Sequence, residues 1–262
     1  MRFRVLGPVR LCGAEGRETA LEGTKPRALL AALVLARGTV VPDSRLIALL
    51  WGDDAPATVA AQLYTYVSRL RRVLGPGAEL VRRRPGYLLR TGESPVDLYE
   101  FERLGRLGQD DLRAGRYAPA AERLRSALAL WSGSALADTT RFLREAAEPG
   151  LHEARMAALE CRVEADLARG EHLGVVAELT DLVAHYPLRE RFRAQLMTAL
   201  YRSERQGDAL AVFHSGRRLL DEELGVPPGR ALTLTHQAVL SGELAFPGAP
   251  PPALRPVPAA GP

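Results

Sequence analysis

The 262-residue sequence contains one lysine and two cysteines, and it has no long hydrophobic run. Its longest unbroken apolar stretch, Ala28 to Ala36, is nine residues, half of the ~18 that a membrane-spanning helix requires. A membrane partner is therefore not expected. Cys12 and Cys161 stand far apart and match no metal-ligand spacing, which suits a reducing cytoplasm. The first eight residues carry basic side chains but no long apolar stretch and no small-residue cleavage site, so no secretory signal is expected. The single lysine sits in Thr24-Lys25-Pro26, which removes the Gly-Lys-Ser/Thr core of a P-loop. His152, His172, His185, His214 and His236 fall singly on different segments and read as structural or surface residues. Asp110-Asp111 and Glu222-Glu223 read as solvated or helix-capping charge. Neither a catalytic group, a metal site nor a cofactor is expected.

Hydrophobic residues make up 47% of the chain and charged residues 25%, a mix that excludes a mainly disordered protein. The charge is unevenly divided. Residues 1–96 hold 15 basic against 8 acidic side chains, a net of +7, and the remainder holds 20 against 23, a net of −3. A polyanion partner is expected for the first part only.

Residues 2–12 alternate, with Phe3, Val5, Val9 and Leu11 on one side, and read as two short strands interrupted at Gly7-Pro8. Residues 13–18 read as a turn and Ala20-Leu21-Glu22 as a third strand. Three helices follow. The first is capped by Thr24 and ends at Gly38, the second starts at Asp43 or Ser44 and stops at Trp51-Gly52, and the third runs from Pro56 to Leu74. Pro85-Gly86 then marks a hairpin. Beyond Val96 the periodicity predicts helices near 97–115, 118–131, 151–169, 171–185, 189–204, 206–223 and 228–241. Similar turns recur at Gly115, Gly170 and Gly207, with 37 positions between the last two, slightly more than a tetratricopeptide period. The Pro-rich residues 243–262 read as a disordered tail or linker.

The predicted fold is mainly α with a small β component. It comprises an N-terminal winged helix-turn-helix (short sheet, three helices, wing hairpin; residues 1–94) and an all-α tetratricopeptide-like bundle (residues 96–242). On the third helix Leu63, Val67, Leu70 and Leu74 form the buried stripe. Thr58, Ala61, Gln62, Thr65, Ser68, Arg69 and Arg72 face the other way, with Tyr66 and Arg71 on the flanks. These side chains suit major-groove reading, because Arg pairs with guanine, Gln with adenine, and Thr touches the thymine methyl. On the wing, Arg82, Arg83 and Arg84 are placed to meet phosphate or the minor groove, and Tyr87 either packs beneath them or bonds a phosphate.

Several ordered motifs carry a family resemblance. They include Lys25-Pro26-Arg27-Ala28-Leu29-Leu30, Leu50-Trp51-Gly52-Asp53, Tyr66-Val67-Ser68-Arg69-Leu70-Arg71-Arg72 and Gly86-Tyr87-Leu88-Leu89. His185-Tyr186-Pro187-Leu188-Arg189-Glu190-Arg191 and Glu222-Glu223-Leu224-Gly225-Val226-Pro227 continue the series. Over residues 2–242 the chain resembles the Streptomyces antibiotic regulatory protein (SARP) family, with an OmpR-type winged helix and a bacterial transcriptional activation domain. One departure is Ser203-Glu204-Arg205-Gln206, where a glycine is usual in the family. The resemblance implies that Trp51 contacts phosphate, although a core aromatic at a helix end is the alternative reading. It adds Lys25 and Arg27 to the phosphate-facing set and puts Arg69 and Arg72 in or beside the groove. It also implies binding of direct repeats in promoter DNA as a homodimer, with RNA polymerase (sigma factor and alpha C-terminal domain) as partner. Asp53 and Asp54 then face either the polymerase or the third helix as caps. A cytoplasmic, nucleoid-associated transcription activator of a secondary-metabolite gene cluster follows. A repressor using the same helix and a tetratricopeptide-like adaptor are the rival readings.

Overall fold

The computed structural model describes residues 1–13, 18–19 and 21–244. The Pro-rich tail predicted beyond them, and most of the first turn, lie outside the described residues. The chain divides into two compact units after Arg162.

The first unit opens with β1 (Arg2–Arg4), β2 (Arg10–Cys12) and β3 (Glu18–Thr19), an antiparallel sheet in which Phe3 faces Leu11 and Leu11 faces Thr19. The third strand is thus earlier than Ala20-Leu21-Glu22. Helix α1 (Thr24–Leu35) begins after Gly23, so Thr24 is its first residue rather than its cap. Then come β4 (Val41–Pro42), α2 (Asp43–Trp51), α3 (Val59–Val73), β5 (Glu79–Arg83) and β6 (Gly86–Arg90). A second sheet has the order β4-β6-β5. Helices α4 (Asp97–Arg113) and α5 (Tyr117–Leu128) and the first part of α6 (Arg141–Ala168) complete the unit.

This unit is larger than the winged segment because one hydrophobic core runs through it. Phe3, Val5, Leu6 and Leu11, all fully buried, share that core with Leu29, Leu46, Phe101, Leu124 and Leu136. Asp97 ties the pieces together. Its buried carboxylate accepts from the backbone N–H of Val5 at 2.9 Å, Leu6 at 3.0 Å and Leu98 at 2.7 Å. Burial pushes this carboxyl above its usual value, against the pull of those three donors and of the Arg4 charge. Ser132 N–H donates to the Leu6 carbonyl at 2.8 Å, and Asp138 accepts from Val9 N–H at 2.7 Å. The expected boundary after residue 94 therefore does not coincide with the division into compact units. A cut there strips Leu98, Phe101 and Leu136 from the core.

Helix α6 starts at Arg141, ten residues before the expected start near residue 151, and carries Pro149 in its interior. A proline removes one backbone donor but does not end a helix whose flanking turns are packed.

The second unit holds the end of α6 with α7 (His172–His185), α8 (Glu190–Arg202), α9 (Gln206–Leu224) and α10 (Arg230–Ser241). Helix α8 lies against α7, α9 and α10. Three helix ends share one hydrogen-bond pattern. After α4, Gly115 N–H donates to Leu112 and Arg116 N–H to Asp111; after α6, Gly170 donates to Leu167 and Glu171 to Asp166. After α8, Glu204 donates to Tyr201 and Arg205 to Leu200. Each is a Schellman closure with a left-handed residue at its centre. The third such residue is Glu204 at φ 63°, not Gly207, which lies inside α9. From Gly170 to Glu204 is 34 positions, the tetratricopeptide period. The 37-residue spacing came from aligning the wrong glycine.

Candidate nucleic-acid interface

Helix α3 buries Leu63, Val67 and Leu70. Leu74, expected on the same stripe, lies just past the helix and is half-buried. The opposite face is open: Thr58, Ala61, Thr65, Arg69 and Arg72 are exposed, and Gln62, Tyr66 and Ser68 are partly so. Gln62 Nε2 donates to Thr58 Oγ1 at 3.1 Å, and Thr65 Oγ1 donates to the Ala61 carbonyl at 2.9 Å.

The wing is fastened beside this helix by backbone contacts. Val41 pairs with Tyr87 and Pro42 with Gly86, and Asp43 N–H donates to the Pro85 carbonyl at 3.1 Å. The approach demands glycine at 86, since a Cβ there would stand 1.8 Å from the Val41 carbonyl oxygen. Arg71 Nε donates to the Leu80 carbonyl at 3.0 Å, joining α3 to β5. Tyr87 is buried beneath the Arg82 guanidinium.

The three wing arginines are not equivalent. Arg82 grips Asp43 with both guanidinium nitrogens, at 2.5 and 2.7 Å, and lies 4.5 Å over the Tyr87 ring. The bond to Asp43 raises its pKa above the ordinary guanidinium value. Arg83 and Arg84 are exposed at the tip, and among the described residues neither they nor Arg69 and Arg72 meet a carboxylate. By contrast, Arg37 pairs with Glu102 and Arg90 with Glu79. Arg69 and Arg72 thus leave free positive charge on the outer face of α3, and Arg83 and Arg84 leave it at the wing tip.

Between them lies a groove of about 340 Å³, bordered by Asp43, Ile47, Tyr64, Arg71, Arg82 and Tyr87. Tyr64 is 64% exposed there. The reading of the helix passed over it, although it projects from the same flank as Arg71. Arg45, exposed on α2, was also passed over.

Three expected contacts are placed differently. Trp51 is buried at 4% exposure, stacked 5.8 Å from Tyr66, and its Nε1 is buried with no acceptor among the described residues. It is the core aromatic at a helix end, and its indole N–H does not reach the surface. Lys25 Nζ lies 5.1 Å over that indole. Arg27 faces Asp138 at 3.4 Å and shares that carboxylate with Arg10, which holds it at 2.8 Å. Asp53 and Asp54 are exposed, and α3 starts only at Val59 behind Thr58. Distance along the loop removes the capping role from both acids.

Among the described residues no group of three or more His, Cys, Asp or Glu side chains could hold a metal ion, and no helix is long and apolar enough to cross a membrane.

Residues 96–240 match the bacterial transcriptional activator domain, and residues 16–89 match the family described as transcriptional regulatory protein, C terminal. The regulatory protein AfsR of Streptomyces coelicolor is 42% identical over 247 residues, which cover 94% of this chain. The chain spans only 25% of the length of AfsR. The regulatory protein DnrI of Streptomyces peucetius is 37% identical over 254 residues, 93% of each chain. Among solved structures, Mycobacterium tuberculosis EmbR in complex with a low-affinity phosphopeptide matches with a TM-score of 0.86 at 33% identity. That match covers 92% of this chain and 65% of EmbR. The chain belongs to the Streptomyces antibiotic regulatory protein family of transcriptional activators, with an OmpR-type winged helix and a bacterial transcriptional activator domain.

Proposed function

We propose that this chain is a sequence-specific activator that binds direct repeats in promoter DNA as a head-to-tail pair and recruits RNA polymerase to a secondary-metabolite gene cluster. The observation that carries the reading is the pairing pattern of the arginines. Among the described residues Arg69, Arg72, Arg83 and Arg84 meet no carboxylate on the surface shared by α3 and the wing. Helix α3 enters the major groove, where Arg69, Arg72, Gln62, Thr65 and Ser68 meet base edges or phosphate, while Arg83 and Arg84 lie on the neighbouring backbone. Residues 1–94 carry the reading surface, and residues 96–242 serve activation and protomer pairing. Asp53 and Asp54, exposed between α2 and α3, face basic residues of the sigma factor or of the alpha C-terminal domain.

Footprinting on a promoter with repeats spaced by about one helical turn, ~10–10.5 base pairs, tests the arrangement. Inserting half a turn between repeats abolishes cooperative binding and inserting a full turn restores part of it. Arg69→Ala costs about 1–3 kcal/mol and relaxes sequence preference. Equal binding at every spacing shows that the protomers do not touch, and a sequence-blind loss in Arg69→Ala removes α3 from the major groove.

A further inference from the structure

The loop from Gly52 to Thr58 is held by the segment that opens α6, within the same compact unit. Thr140 Oγ1 donates to the Leu49 carbonyl at 2.6 Å. That oxygen belongs to the last turn of α2, where helical geometry leaves carbonyls without an N–H. Two residues further on, the Phe142 ring lies against the backbone of Gly52. A Cβ at position 52 would stand 2.2 Å from Phe142 Cε1, and Gly52 itself has φ 61° and ψ −134°, a conformation that side chains disfavour. The Arg141 guanidinium lies 4.6 Å over the Phe142 ring, which stays partly exposed. The first residues beyond this seat are Asp53 and Asp54, both exposed. Their loop has few ties of its own: Gly52 N–H donates to Ala48 at 2.9 Å, and Asp54 N–H reaches the Trp51 carbonyl at 3.3 Å.

We propose that Thr140 and Phe142 are positioning residues for the α2–α3 loop. The loop and the first turn of α6 then form one composite surface, on which the helical segment sets the acids that meet a basic face of the polymerase. This rests on the polymerase-contact reading of Asp53 and Asp54 given above. It explains why an otherwise ordinary loop meets a glycine and an aromatic ring 90 positions apart. The chain that follows the winged segment thereby shapes a surface of the winged segment that never touches DNA.

The full chain carries the test. Amide hydrogen exchange over residues 52–57 is measured for Phe142→Ala, for the nearly isosteric Thr140→Val, and for Thr140→Ser, which keeps the donor. DNA affinity without polymerase and polymerase-dependent transcription are measured beside it. Loss of one hydrogen bond is expected to speed loop exchange about 2- to 12-fold in Thr140→Val. Phe142→Ala does the same, and both variants lower activated transcription while DNA affinity stays at the wild-type value. Thr140→Ser behaves as wild type in every assay. Unchanged loop exchange in both Phe142→Ala and Thr140→Val overturns the positioning role. Faster exchange with undiminished transcription in both overturns the composite surface. Failure of the underlying reading looks different: there the Asp53→Ala, Asp54→Ala double variant retains full activation.

Discussion

Replacing Arg82 and Arg83 in turn separates a charge already answered by Asp43 from one free to meet phosphate, at adjacent positions on one strand. Each phosphate neutralised contributes about −0.9 to the slope of log K against log salt. Arg69, Arg72, Arg83 and Arg84, none of which meets a carboxylate among the described residues, then give a slope of about −3.6, if each meets one phosphate. Raising salt fourfold, from about 50 to 200 mM, weakens binding by about 150-fold on that slope. Arg83→Ala lowers the slope to about −2.7 and the loss to about 40-fold. Arg82→Ala leaves the slope unchanged, because its guanidinium is bound bidentately by Asp43. Asp43→Ala frees Arg82 and steepens the slope toward about −4.5. The bridge is exposed and contributes only about 0.2–1 kcal/mol to folding, so neither variant unfolds the chain. Fluorescence anisotropy on a duplex of unrelated sequence, titrated with potassium chloride, reads the slope directly. Equal flattening by Arg82→Ala and Arg83→Ala refutes the reasoning, since it means that DNA displaces Asp43.

Asp97→Ala leaves the buried N–H groups of Val5, Leu6 and Leu98 without their acceptor and costs about 3 kcal/mol or more in urea denaturation. Because burial holds the Asp97 carboxyl above its usual value, the folded chain keeps a proton that the unfolded chain releases in that window. Its contribution to stability therefore falls as pH rises from the ordinary aspartate range through the raised value, and Asp97→Ala removes that component. Glu204→Gly relieves a left-handed backbone that costs a side chain about 1–2 kcal/mol, less the greater chain entropy of glycine. Calorimetry is expected to show a rise of a degree or two in Tm, and a fall rules out the closure described after α8. Gly86→Ala forces the β4–β6 pair apart, so both thermal stability and the salt slope decrease; an unchanged slope means that the wing does not need that pairing.

Much of the proposed reading surface was legible because α3 alternates buried and open faces at helical spacing. Leu63, Val67 and Leu70 point one way whatever surrounds them, which leaves Arg69 and Arg72 outside. The wing announced itself through Pro85-Gly86 between two short β-prone runs. Other features were hidden for physical reasons. A glycine is the usual mark of a left-handed helix end, so Gly207 drew attention, while Glu204 adopts that conformation because the flanking helices pack well enough to bear its cost. Periodicity places a helix only from about residue 151, yet α6 starts at Arg141 and runs through Pro149. Trp51 carries the same letters whether it faces phosphate or the core, and only its stacking on Tyr66 shows which.

Composition and periodicity were enough to establish a basic winged segment followed by helical hairpins, because both depend on short-range spacing and on charge summed over a stretch. Which of the arginines keep a charge to spare depended on folding. Arg82 is answered by Asp43, 39 positions away, and Arg10 and Arg27 share Asp138, more than a hundred away. The extent of the first compact unit was equally out of reach, since it follows from one buried carboxylate, Asp97, accepting backbone bonds from the residues just after β1, 91 and 92 positions earlier. Pairing energies of this kind act over a few ångströms of space, and no local pattern of residues encodes which distant segments will meet.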